Sequence, residues 1–162
     1  MENLLFVNKS NNPNPEYAKE GDSGFDLRAW ITEEDTDKTF SSLSEKNVPC
    51  IVLQPLQRKL IHTGLYFEIP DNFEVQVRPR SGLALKQGLS VLNTPGTVDT
   101  LYRGEICVIV VNLSNQLIKI ESGDRIAQAV VMPREIVNLV EIPKINEDTE
   151  RGADGMGSSG VK

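Results

Sequence analysis

The stretch "FEVQVRPRSGLALKQG", residues 73–88, sets two periods back to back. In "FEVQVRP" (73–79), Phe73, Val75 and Val77 alternate with polar neighbours, the two-residue period of a strand with one buried face. "SGLALKQG" (81–88) reads as a helix of about two turns, and no other segment reads as helix. Outward from it lie β-branched runs of strand length: "RKLIHTGLYFEI" (58–69), "EICVIVVN" (105–112), "RIAQAVVM" (125–132) and "EIVNLVEI" (135–142). Turn signals separate them at "IPDN" (69–72), "NTPG" (93–96), "LSNQ" (113–116) and "ESGD" (121–124). Many short strands with regular turns predict an all-β fold, a jelly-roll-like β-barrel or sandwich with one short helix. The polar run 33–47, "EEDTDKTFSSLSEKN", has no apolar period and reads as an exposed loop. Residues 1–150 are expected to form a single β domain. The Gly/Ser-rich end "RGADGMGSSGVK" (151–162) carries too little side chain for a core and is expected to be a flexible C-terminal arm.

At 162 residues the chain is one domain that can bury a core without disulfides. Net charge is −6, with a pI near 4.9, which argues against a non-specific nucleic-acid binder; a small anionic ligand held by a few local cations stays open. The longest apolar run, "ICVIVV" (106–111), is too short to span a bilayer, and "MENLLFVNKS" lacks the marks of a signal peptide. A cytoplasmic protein with no membrane partner is the expectation. Cys50 and Cys107 lie in apolar, strand-like surroundings and read as reduced core residues. One histidine and two separated cysteines exclude a zinc site of the usual kind, and His62 reads as structural. Any catalysis then falls to carboxylates, a metal or water.

Five stretches combine glycine with charge: "GDSGFDLRA" (21–29), "RPRSGLALK" (78–86), "NTPGTVDTLYRGE" (93–105), "GDRIAQ" (123–128) and the arm. Singly, each has a plain reading: Asp26 and Asp99 as turn residues, Ser81 as a helix cap, Gln128 as a bond to a neighbouring strand. In this order and spacing, the five resemble the motifs of the homotrimeric dUTPase family, over about residues 21–160. That family hydrolyses dUTP to dUMP and pyrophosphate by attack of water on the α-phosphorus, clearing dUTP from the nucleotide pool and supplying dUMP for thymidylate synthesis.

The resemblance implies a role for each matching residue. Asp99 matches the water-activating aspartate, and a carboxylate is a reasonable general base where no histidine is at hand. Asp26 matches the aspartate that holds Mg²⁺ through water, a cation that keeps several waters and draws direct ligands from phosphates. Arg80, Ser81 and Gly82 match phosphate ligands at a helix start, and Gln128 a further phosphate contact. Asn93 matches the amide that pairs with the uracil edge, in a turn where Gly96 lets backbone approach the ring. Tyr102 matches the tyrosine whose ring fills the space of a 2′-hydroxyl. The arm matches a lid: Arg151 on the γ-phosphate, Gly157, Ser158 and Ser159 around the phosphate chain, and Met156 where the family carries an aromatic. A thioether over uracil stacks less strongly than an aromatic ring, so closure is expected to be looser than the family norm. Asp154 replaces one of the family's glycines, and loop 33–47 is longer than typical, which leaves room for a protein partner there. The resemblance also implies a homotrimer with sites at subunit junctions.

Two rivals remain at this stage. A dCTP deaminase shares the fold, but that chemistry needs a glutamate in the strand after the third motif, and "ICVIVVNLS" (106–114) has none. An idle binding module is favoured only by loop 33–47.

Overall fold

The computed structural model describes residues 2–32, 34–35 and 48–153. Most of loop 33–47, and the arm from residue 154 onward with Asp154, Met156, Gly157, Ser158 and Ser159, lie outside the described residues. In chain order the elements are β1 (Leu5–Asn8), β2 (Gly24–Arg28), β3 (Cys50–Leu53), β4 (Arg58–Ile61), β5 (Leu65–Glu68), β6 (Phe73–Arg78), α1 (Ser81–Gln87), β7 (Leu89–Val91), β8 (Gly96–Val98), β9 (Val108–Asn112), β10 (Ile118–Glu121) and β11 (Arg125–Pro133). Strands β2-β11-β6-β8 make one sheet and β4-β9-β7 another, with two-stranded ribbons β1-β5 and β3-β10. All pairings are antiparallel. One core unites them: Phe25 and Leu27, Val75 and Val77, and Ala127 and Ala129 from the larger sheet meet Ile61, Val91, Val108 and Val110 from the smaller. No sheet closes on itself among the described residues, so the architecture is a jelly-roll-like sandwich and not a closed barrel. No helix among them is long and apolar enough to cross a membrane.

The central stretch folds as its two periods require. In β6, Val75 and Val77 are buried between less buried neighbours, and α1 follows directly. Ser81 is not the helix cap. Arg80 occupies that position in extended backbone without a side-chain capping bond, and the helix ends at Gly88 in the left-handed region. Run 58–69 is two strands, broken where Gly64 turns at φ +71; a Cβ there would lie 2.7 Å from Ser10.

Segment "EIVNLVEI" is the clearest departure. Residues 134–142 form no strand, and Ile136, Val137, Val140 and Ile142 are exposed, with Leu139 94% accessible. The β-branched residues are there, but a strand also needs a neighbour for its amides, and the described chain offers this segment none. Cys107 is a second departure: Cys50 is a buried core thiol, whereas Cys107 is only half-buried.

The turn after β9 is organised by one fully buried side chain. Asn112 donates from Nδ2 to the carbonyls of Leu53 (3.0 Å) and Gln116 (2.7 Å), and its Oδ1 accepts from the amide and hydroxyl of Ser114 (2.9 and 2.8 Å). Asn112→Ala would remove all four bonds from a fully buried position, leaving the Leu53 carbonyl without this donor, and is expected to cost about 2–4 kcal/mol of stability. Denaturant unfolding of the two forms checks this.

Candidate active site

Adjacent strands bring the first, second and fourth motifs to one end of the larger sheet. β11 runs between β2 and β6, and its register sets Gln128 opposite Asp26 on one side and Arg78 on the other. The chain then leaves β6 through Pro79, whose carbonyl accepts from Gln128 Nε2 at 2.9 Å, and Arg80 arrives beside Asp26. Arg80 Nε is 2.7 Å from Asp26 Oδ1, Arg125 Nη1 is 3.2 Å from Oδ2, and Arg80 Nη1 donates to the Arg125 carbonyl at 3.3 Å. Asp26, Arg80, Ser81, Gly82 and Gln128 line a groove of about 500 Å³. The amides of Ser81 and Gly82 lie in the first helical turn, where helix geometry supplies no intrahelical acceptor for them. Glu16 and Asp22 also line this groove, and Asp22 accepts from the Lys19 amide at 2.9 Å; this open set of carboxylates, with Asp26 held between two guanidinium groups, fits a hard cation that arrives on its phosphates and not one caged by protein.

The third motif forms a different cleft, of about 340 Å³, lined by Asn93, Asp99, Tyr102, Glu105 and Cys107. Asn93 stands in the turn before β8, where buried Gly96 gives its amide room: a Cβ at 96 would be 3.1 Å from Asn93 Nδ2. Loop 99–105 is tied from within. The Tyr102 amide donates to the Asp99 carbonyl (3.0 Å), buried Thr100 donates to the Phe73 carbonyl (2.7 Å), and Arg103 donates to the Thr100 carbonyl (2.7 Å). The Tyr102 ring lies directly over Gly104, where any Cβ would collide with it, and its hydroxyl donates to the Glu105 carbonyl at 3.0 Å. Asp99 is exposed, and among the described residues its carboxylate has no hydrogen bond or ion pair. Tight backbone and an open carboxylate together suit a general base.

The expected residues are thus gathered into two separate clefts within one chain. Arg151 is exposed and lines neither. Sequence reading missed Arg125, which lies 99 positions from its partner Asp26 and shows no local signal of pairing. It also missed the partners of His62. The Glu105 Oε2 lies 2.8 Å from His62 Nδ1, and Oε1 accepts from the amides of Thr63 (3.1 Å) and Gly64 (2.8 Å). Cys107 Sγ is 3.6 Å from the same His62 nitrogen. Burial, reinforced by the Glu105 carboxylate, pushes the Cys107 thiol up to about 11.

Residues 45–160 match the family model for dUTPase, most of the chain including the third and fourth motifs. The chain belongs to the dUTPase family. The deoxyuridine 5'-triphosphate nucleotidohydrolase of Cytophaga hutchinsonii is 49% identical over 157 residues, covering 97% of this chain and 91% of the relative. That of Treponema denticola is 50% identical over 147 residues, covering 91% and 90%. Among solved structures, the dUTPase of Staphylococcus bacteriophage 80alpha with dUPNHPP superposes with a TM-score of 0.80 at 23% identity, over 99% of this chain and 100% of that one. The phage phi11 dUTPase, described with a structural Mg(II) ion, gives 0.72 at 19% identity, over 90% and 99%. At such identities the structural likeness speaks for the dUTPase fold alone.

Proposed function

We propose that this dUTPase-family chain is a dUTP diphosphatase, releasing dUMP and pyrophosphate at sites that each combine two or more chains. The relatives at 49% and 50% identity carry that activity in their names, which supports the reaction. The observation that supports the shared site is the separation of the two clefts: Asp26, Arg80, Ser81, Gly82 and Gln128 line one, and Asn93, Asp99 and Tyr102 the other, the first set being the groups assigned here to phosphate and the second those assigned to base, sugar and water. A nucleotide triphosphate needs both, and a homotrimer can set the groove of one chain against the cleft of the next. Exposed Leu5, Val7, Ile136, Val137, Leu139 and Val140 supply apolar surface for such contacts.

In this reading Asn93 pairs with the uracil edge, offering both donor and acceptor, and Tyr102 lies beneath the deoxyribose. Arg80 and Gln128, with the amides of Ser81 and Gly82, hold the phosphates. Asp99 takes a proton from the attacking water. Asp26 would hold Mg²⁺ through water, and the cation, when bound, would supply charge neutralisation on the phosphates. The guanidinium groups of Arg80 and Arg125 keep the Asp26 carboxylate in place beforehand. The arm from Arg151 onward closes over the triphosphate, with Arg151, Gly157, Ser158 and Ser159 as phosphate contacts and Met156 against the base.

The test is pyrophosphate release from dUTP, dCTP, dTTP and UTP, with ammonia measured alongside. Release from dUTP alone, without ammonia, supports the proposal; ammonia from dCTP, or no release at all, overturns it. Sugar choice gives a sharper expectation. Tyr102→Ala should narrow the preference for dUTP over UTP, and Gly104→Ala should do the same by displacing an intact tyrosine. If kcat/KM ratios for the two nucleotides stay as in the unaltered protein, the ring does not guard the 2′ position.

A further inference from the structure

We propose that His62, Glu105 and Cys107 form a binding site for a borderline-soft divalent cation of the Zn²⁺ type, distinct from the magnesium expected at Asp26. Among the described residues these three are the only set of His, Cys, Asp or Glu groups whose ligand atoms converge, all within 4.8 Å of one another. The spacing suits a tetrahedral centre. Ordinary zinc bond lengths put imidazole nitrogen and thiolate sulfur about 3.6 Å apart, and nitrogen and carboxylate oxygen about 3.3 Å apart. The first distance is already 3.6 Å, and the second, 2.8 Å, has to open by about half an ångström once the cation replaces the shared proton.

Glu105 is organised beforehand for this role. Its Oε1 is anchored on the amides of Thr63 and Gly64, which leaves Oε2 turned to His62 and the thiol. Such support from surrounding backbone is what fixes metal ligands in place. Charge also balances: thiolate and carboxylate together cancel a dication, so a half-buried site gains no net charge. Protons balance as well. Cys107 gives its proton to solvent, and the proton shared by His62 Nδ1 and Glu105 leaves Nδ1 as the neutral ring takes one up at Nε2 through solvent, so His62 binds through Nδ1 and one proton is released per cation. Thiolate and imidazole select against Mg²⁺, which takes oxygen ligands. Two of the three ligands, Glu105 and Cys107, line the cleft that holds Asp99 and Tyr102, and water from that cleft would complete the coordination.

Cobalt reports on such a site. The full chain is titrated with Co²⁺ under a non-thiol reductant, with Mg²⁺ in excess to fill oxygen sites. One Co²⁺ per chain is expected to bind with a thiolate-to-metal charge-transfer band, and Zn²⁺ should displace it. Cys107→Ser should abolish the band, Cys50→Ser should keep it, and His62→Gln and Glu105→Gln should each weaken binding by at least about tenfold. Thermal unfolding shows whether the variants are folded, and His62→Gln, at a half-exposed position, carries the test if Cys107→Ser does not fold. A missing band in the unaltered protein, a band that survives Cys107→Ser, or affinity unchanged by His62→Gln would overturn the proposal.

Discussion

Replacing Asp99 by asparagine is expected to lower turnover by about 10²–10⁴-fold while nucleotide still binds. Asparagine keeps the shape of the side chain but cannot accept a proton from water. The backbone around position 99 is held by bonds that the substitution leaves alone: the Tyr102 amide to the carbonyl of residue 99, Thr100 to Phe73, and Arg103 to Thr100. Asp99 itself is exposed and has no side-chain partner among the described residues, so its loss should disturb nothing else. Single-turnover rates with dUTP, beside the Kd for a non-hydrolysable analogue, separate chemistry from binding. Near-normal turnover would make Asp99 a structural residue and require another base.

Deleting residues 151–162 should cost about 10²-fold in activity through lost positioning of the triphosphate, with little effect on folding. The buried core runs from Phe25 to Val130, with Leu4 and Val131 packed against it, and residues 151–153 are exposed, so the described part of the deleted segment contributes nothing to the core. What goes is a guanidinium, two serine hydroxyls and a run of backbone amides, all suited to phosphate oxygen. Unchanged thermal unfolding with a large fall in kcat/KM is the expected pair of results. Full activity in the truncated chain would show that the arm is a passive terminus.

How much of this could be read from the sequence depended on how far each signal reaches along the chain. Val75 and Val77 announce β6 because a six-residue strand has room for its period to repeat, and "SGLALKQG" gives the helix to within a residue. Strands β7 and β8 are three residues each, too short for any period, and only their pairing with β9 and β6 defines them. Segment 135–142 shows the converse failure, since its β-branched composition suits a strand but its own described chain supplies no partner. In the site, residue types within a motif were legible, because Gly96 and Asn93, or Tyr102 and Gly104, act on near neighbours. The Asp26–Arg125 pair and the His62–Glu105–Cys107 cluster were not, because strand register brings them together from 43 to 99 positions apart. The division of the motifs into two clefts was also invisible, being a property of sheet order and not of spacing.

Whether one site draws on two chains is tested most directly by mixing two inactive variants. Arg80→Ala disables the phosphate groove and leaves the other cleft intact; Asp99→Asn does the reverse. Each homogeneous protein should be nearly inactive. If groove and cleft come from different chains, random assembly at equal amounts leaves about a quarter of the sites with both halves unaltered, and activity should recover to about that fraction. Refolding the two together and measuring pyrophosphate release from dUTP gives the answer. Recovery to about a quarter of the unaltered activity supports the shared site; a mixture no more active than its components would contradict it, because a site within one chain always carries one of the two lesions.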